Sequence, residues 1–228
     1  MFREIIRIWS EQAFSKRVVN EFLTMLEDSE KMLAYVFKVL TVEGKGKKFD
    51  KKIYKKDQRI NLTERDIRKQ ILVHLTAHPS ANLPACLALI SVVKDAERLG
   101  DYVKNLFELK ALLKDSDDVD YGLFKRLFNE NGTELQELFQ KVSTAFKNSD
   151  KELAYESIQV GYAISNRCEE IIEEVVNSKD TARQAVVAAL GARYLKRIAI
   201  HLTNIVSSVT NPLPDVDFVD GKSATKNQ

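Results

Sequence analysis

The chain has 228 residues, of which 44% are hydrophobic and 30% charged, so it can bury one sizeable core or two small ones and lies far from the composition of disordered chains. Its 35 basic and 33 acidic residues leave a net charge of +2, which gives no global attraction to nucleic acid or to an anionic membrane. Eight glycines and four prolines, with long stretches free of both, favour helices and an all-α fold.

The first segment, Phe2 to Trp9, mixes Arg3, Glu4 and Arg7 among apolar residues, so it is not expected to be a signal peptide. Ser10 is a candidate cap for a long helix whose apolar stripe runs Phe14, Val18, Phe22, Met25, Leu33, Val36 and Leu40, with Ser29 as its polar member. Gly44 and Gly46 end it. Seven lysines between Lys45 and Lys56 then crowd the turn and the start of a second helix. Such a run is ordinarily a solvated face; with no interleaved aromatics beyond Phe49 and Tyr54 it does not suit nucleic acid, and contact with an anionic lipid surface or an acidic partner is the functional alternative.

In the second helix the stripe Ile53, Ile60, Ile67, Ile71 and Leu75 has Asp57 and Glu64 set into it. Carboxylates on a core stripe need compensation from Lys, Arg or a metal ion, because desolvating an unpaired charge is costly. His78-Pro79 ends the helix; His74 and His78 read as helix-end histidines rather than metal ligands. A third helix follows from about Ser80 to Lys114, and Asp115 to Asp120 reads as an acidic linker.

Three more helices are expected. The first carries Phe124, Leu127, Phe128, Leu135, Leu138, Phe139, Val142 and Phe146, with a weak point at Asn131-Gly132. A turn at Asn148-Ser149-Asp150 leads to the next, which reaches about Asn177, and the last runs from Thr181 to Thr210 before Asn211-Pro212. The final stretch has no period and reads as a disordered tail. Cys86 and Cys168 lie inside apolar helical patterns, as reduced buried thiols of a cytoplasmic protein would. The longest nearly uncharged run, Leu83 to Val93, is too short to cross a bilayer.

The third helix holds the stretch that organises the chain, KDAERLGDYVKNLFEL from Lys94 to Leu109. Glu97 and Asp101 stand four apart, one turn above the other, and Asn105 and Glu108 continue their stripe. At about 100° per residue this acidic stripe lies roughly 120° from the core stripe Leu89, Val92, Ala96, Leu99, Val103 and Leu106. Burial is therefore not expected to hold it, and it is either a solvated face or a site. Hard oxygen donors from Glu97, Asp101, Asp57 and Asn61 would suit a metal ion (Fe, Mn, Mg or Zn); the alternative is pairing within the helix, Glu97 to Lys94 and Asp101 to Arg98.

A shift of 99 positions sets Arg98 over Arg197, Leu99 over Ile198, Val103 over Leu202, Asn105 over Asn204 and Leu106 over Ile205. Such an echo marks a duplicated chain. The expected layout is two tandem three-helix bundles, residues 1–116 and 117–211, followed by the tail 212–228. No phosphate-cradling glycine loop and no nucleophile with a recognisable base occur, so an enzyme is not expected.

The segment DAERLGDYVKNL resembles the signature helix of the PhoU family, in which an acidic residue, a Glu-Arg pair and a Gly-Asp pair precede an Asn-Ile/Leu ending, once in each of two three-helix repeats. The second copy, YLKRIAIHLTNI, keeps Arg197, Ile198, His201 and Asn204 but has Lys196 and Ile200 where the family has Glu and Asp. The resemblance implies a cytoplasmic helical regulator that restrains a membrane phosphate transporter, signals through its sensor kinase and works as a homodimer. It also implies that acid-x-x-x-acid pairs on the helices can bind metal, with Glu97, Asp101 and Asp57 matching and Asn61 matching weakly. Two further readings stay open, a metal-binding helical protein and a companion of a different transporter. On the last helix the core stripe is expected at Leu195, Ile198, Leu202, Ile205 and Val209. Ile200 then points away among Arg193, Lys196 and Arg197, a basic face expected to dock an acidic partner or a second copy.

Overall fold

The computed structural model describes residues 13–41, 51–78, 83–112, 121–179, 181–211 and 213–216. Among them six α-helices follow one another, α1 (Ala13–Thr41), α2 (Lys51–Ala77), α3 (Leu83–Leu112), α4 (Tyr121–Asn148), α5 (Lys151–Val176) and α6 (Ala182–Thr210), and a 3-10 turn (Leu213–Asp215) closes the set. The expected helices are there, and no strand occurs among the described residues. The expected cap at Ser10, the Lys45–Lys48 run and the linker 115–120 lie outside the described residues.

Local chemistry fixes the later boundaries. Ser149 adopts a left-handed φ of 51° that turns the chain after α4. Asp150 then caps α5 by accepting from the Leu153 N–H, and Thr181 with Gln184 forms a reciprocal capping box on α6. The anticipated weak point in α4 stays helical. Asn131 is fully buried and donates through Nδ2 to the Leu127 carbonyl at 3.0 Å, while the bare Cα of Gly132 admits the Phe37 ring.

The packing has a pseudo-two-fold. α1 packs on α4 and α3 on α6 across the centre; α2 packs on α1 and α3 at one flank, and α5 on α4 and α6 at the other. The aromatic contacts follow it approximately: Phe22 meets Phe146 with ring centroids 4.7 Å apart, and Phe37 meets Phe128 at 4.9 Å, about one helical turn out of strict exchange. One continuous core runs through both repeats, so the two three-helix bundles share their interior.

The sharing explains two departures from expectation. α3 and α6 are buried on more than one side, with Val93, Asp95, Gly100 and Phe107 buried in α3 beside the expected stripe. In α6 the expected stripe Leu195, Ile198, Leu202, Ile205 and Val209 is buried, but so are Ala192, Ala199, Thr203 and Val206. Ile200, expected on an open face, is half-buried for that reason. The tail also begins differently: Asn211 Nδ2 donates to the Asp215 carbonyl at 2.9 Å and Val216 is buried, so the turn beyond α6 is docked near α3.

Candidate functional site

The carboxylates of the first repeat converge on the seam between α2 and α3. Asp57 and Glu64 stand seven apart on α2, so both enter the seam from one side; Glu97 and Asp101 enter it from α3. Glu97 is buried, which corrects the expectation of an unburied stripe: α2 lies along that flank of α3.

Two lysines close the seam. Lys104 Nζ lies 2.9 Å from Asp57 Oδ2 and 3.0 Å from Asp101 Oδ1, and thereby bridges the helices. Lys94 Nζ is 2.8 Å from Glu97 Oε2 and 3.8 Å from Glu64 Oε1, a second bridge one to two turns away. Between them Arg98 reaches Asp101 at 3.1 Å and Glu97 at 3.8 Å, and Arg68 holds Glu64 at 3.1 Å. Signs thus alternate along the seam. Burial pulls the Lys104 pKa down, but the hydrogen bonds and charges of Asp57 and Asp101 outweigh it and leave the ammonium above its ordinary 10.5. The pairing of Glu97 with Lys94 and of Asp101 with Arg98 within α3 was one of the two sequence readings; the cross-helix role of Lys104 was not.

This donor set does not fit a metal ion as arranged. Asp57 and Asp101 do come together, but on an ammonium that occupies the position between them a cation would need. Glu97 faces Glu64 and Lys94 further along. Asn61 Oδ1 is buried without a hydrogen-bond partner. Among the described residues no three His, Cys, Asp or Glu side chains gather as a metal-holding group.

A related device joins α1 to α2, where Lys56 and Arg59 both bond the buried Asp28. Burial pushes that carboxyl up and the two cations outweigh the effect, holding it below its usual 3.8. His74 stacks on Phe14 with centroids 4.0 Å apart and its pKa is lowered by burial, then by His78. Both histidines line a cleft of about 780 Å³ between α1 and α2, on the flank of α2 away from the seam.

The two repeats are tied by a polar cluster that the sequence reading did not single out. Buried Asp95 of α3 bonds His201 Nδ1 at 2.6 Å and accepts from Asn204 Nδ2 at 3.2 Å, both on α6. Tyr102 stacks on His201 at 5.5 Å and lies 6.1 Å from Tyr194. With the 99-residue shift Asp95 answers to Tyr194 and Tyr102 to His201, so the Asp–His and Tyr–Tyr contacts are the same contact seen from the two repeats. The signal was present, since Asp95 lies three residues after Val92 and four before Leu99 on the core stripe, where a charge demands a partner.

The second repeat builds its seam without buried acids among the described residues. Burial patterns align α2 with α5 when Ile53 is set over Ala154 and Ile67 over Cys168, which puts Asp57 over Ile158 and Glu64 over Ser165. Glu97 and Asp101 answer to Lys196 and Ile200. Lys196 is bonded to Glu169 of α5, and Arg197 and Ile200 are half-buried, so the basic face expected to be open is narrower than its sequence suggests. The chain packs closely here: a Cβ on Gly161 would clash with Thr203 Oγ1 and lie 3.4 Å from the Ala199 carbonyl, in ordinary contact. Burial pushes the Cys168 thiol up to about 12, against the pull of Arg167 and Lys196, and raises that of Cys86.

A duplicated six-helix bundle whose equivalent central helices α3 and α6 pack against each other, with the signature complete in α3 and partial in α6, defines a two-repeat helical class. The family model described as the PhoU domain matches residues 22–109 and 128–209, so both repeats are covered and the chain belongs to the PhoU family. It is 26% identical over 200 residues to the phosphate-specific transport system accessory protein PhoU homolog 1 of Thermotoga maritima, a match covering 82% of this chain and 85% of that protein. The fold is similar to the crystal structure of PhoU from Pseudomonas aeruginosa, with TM-score 0.74 and 21% identity over 86% of this chain and 95% of that one. It is also similar to the phosphate transport system regulatory protein PhoU from Streptococcus pneumoniae, with TM-score 0.67 and 18% identity over 96% and 100% of the two chains.

Proposed function

We propose that this protein regulates phosphate uptake and phosphate signalling in the cytoplasm, as a helical adaptor on a membrane phosphate transporter complex and its sensor kinase. The observation that carries the reading is the family match over both repeats, together with a relative, alike along most of both lengths, that is a phosphate transport accessory protein. The geometry supports it. No helix of the described residues is long and apolar enough to cross a membrane, and Lys104, Asp57, Asp95 and His201 are paired with one another inside the bundle. What remains for partners is the outer surface, as suits an adaptor. In this reading the chain works as a homodimer, and Lys196, Arg197 and Ile200 contribute an edge contact to a partner. The test is co-purification from cells grown in abundant phosphate, with uptake of labelled phosphate measured in a strain lacking the protein. Phosphate transporter components should come with it, and uptake should lose its restraint. Recovery of a different transporter, with phosphate uptake unchanged, would overturn the reading.

A further inference from the structure

The first repeat carries its positive charge on α2 and the second its negative charge on the equivalent helix α5. In α2 eight Lys and Arg stand against three acids, and two of those, Asp57 and Glu64, are buried in the seams. In α5 six Glu stand against Lys151 and Arg167. The two helices occupy opposite flanks, so a chain whose net charge is only +2 is strongly polarised.

The outward side of α2 adds apolar surface to that charge. Leu62, Leu72 and Val73 are 51%, 66% and 59% exposed. With exposed Lys55, Arg65 and Lys69 they fall on the side opposite the buried line Ile53, Ile60, Ile67 and Ile71, within an arc of about 100°. Asp66 is the only exposed acid of the helix.

We infer that this face of α2 docks on an anionic phospholipid surface. Charge and layout favour a bilayer over an acidic protein: α2 is a helix roughly 40 Å long whose leucines and bases are interleaved along one outer side, and the cleft that Lys69 and Val73 of this side also line opens towards α1 and carries Glu21 and Asp66, which would repel an acidic partner's side chains. A flat, deformable interface accepts both kinds of group at once. The aliphatic tips enter the boundary between headgroups and acyl chains, while the long lysine and arginine stems carry their charges to the lipid phosphates. The acidic α5 flank is repelled by the same surface, so the charge asymmetry fixes which way the molecule faces.

The test is co-sedimentation of the full chain with vesicles of phosphatidylglycerol and phosphatidylcholine against vesicles of phosphatidylcholine alone, with no transporter present, so that the result is independent of the adaptor reading. Binding is expected to the anionic vesicles only and to weaken as salt rises. Lys55→Gln with Lys69→Gln should weaken it about 25-fold, from roughly 5-fold per charge near a lipid surface. Leu62→Gln should weaken it several-fold, and Glu170→Gln on α5 should leave it unchanged. All four side chains are exposed, so the helical spectrum should persist in every variant. Absence of binding, equal binding to neutral vesicles, or indifference to the lysine substitutions would overturn the inference. So would self-association in lipid-free solution that Leu62→Gln abolishes, because a second copy would then be what covers this face.

Discussion

Removing the Lys104 ammonium tests the central geometry most directly. The Lys104→Met variant keeps the aliphatic stem but leaves Asp57, whose side chain is 11% exposed, facing Asp101 without the cation between them. Stripping one partner from a fully buried pair costs about 3–5 kcal/mol. Here Lys104 is 21% exposed and Asp101 keeps Arg98, so the expected loss is about 1–3 kcal/mol. For a chain of this size that lowers Tm by roughly 3–10 °C. Calorimetry and urea unfolding at neutral pH measure it. The sign with pH follows from the raised Lys104 pKa: its contribution is complete below 10.5 and is lost as pH rises through the folded value, so the gap between parent and variant should close only in strong alkali. Magnesium or manganese should recover part of the stability of Lys104→Met, through Asp57, Asp101 and the free amide oxygen of Asn61, and leave the parent unchanged. A Lys104→Met protein as stable as the parent, or a parent that chelators destabilise, would refute the claim that the ammonium holds this seam.

The close approach of α5 and α6 should make Gly161→Ala cost about 1–3 kcal/mol by overpacking, and Thr203→Ala should recover part of that loss in the double variant, as read by urea midpoints. Asp95→Asn and His201→Leu should each destabilise, and the double variant should fall short of their sum by about 1 kcal/mol or more; additive losses would mean that the two side chains do not interact. Neither thiol should react with a maleimide at pH 8 in the native protein, and both should react in denaturant, because burial raises both and takes Cys168 to about 12.

The helices were legible because three-and-four periodicities hold through nearly all of them, and the duplication because its echo falls on the two helices that pack against each other. Helical angle alone could not tell a solvated acidic stripe from one covered by a neighbouring helix, which is why Glu97 was placed outside the core and is inside it. The stripe on α2 did announce that Asp57 and Glu64 need compensation, but not which cation supplies it, since Lys104 is 47 residues away in sequence. The same limit hid Asp28, which draws its two cations from another helix. Angle also failed at Ile200 for one reason: a helix at the centre of six has less free face than a helix at an edge.

The repeats solve one packing problem in two ways, and the difference makes the fold directional. In the first seam Gly100 of α3 admits the Ile60 side chain of α2, and the polar surface beside it is filled by a ladder of alternating charges. In the second the small residue sits on the other helix: Gly161, which answers to Ile60, admits Thr203, and Ile158 and Ser165 stand where Asp57 and Glu64 would. A buried ladder costs desolvation and returns it only when every member is present, whereas an apolar seam needs no partner of opposite sign. The first repeat is therefore the one whose helix packing responds to a single charge added or removed. Its α2 is also the helix whose outer side is basic and partly apolar, so a contact on that surface and a change in the seam act on the same element from opposite sides. The second repeat is tied to the first on the other side of α3, through Asp95 with His201 and Asn204, where no contact on α2 reaches.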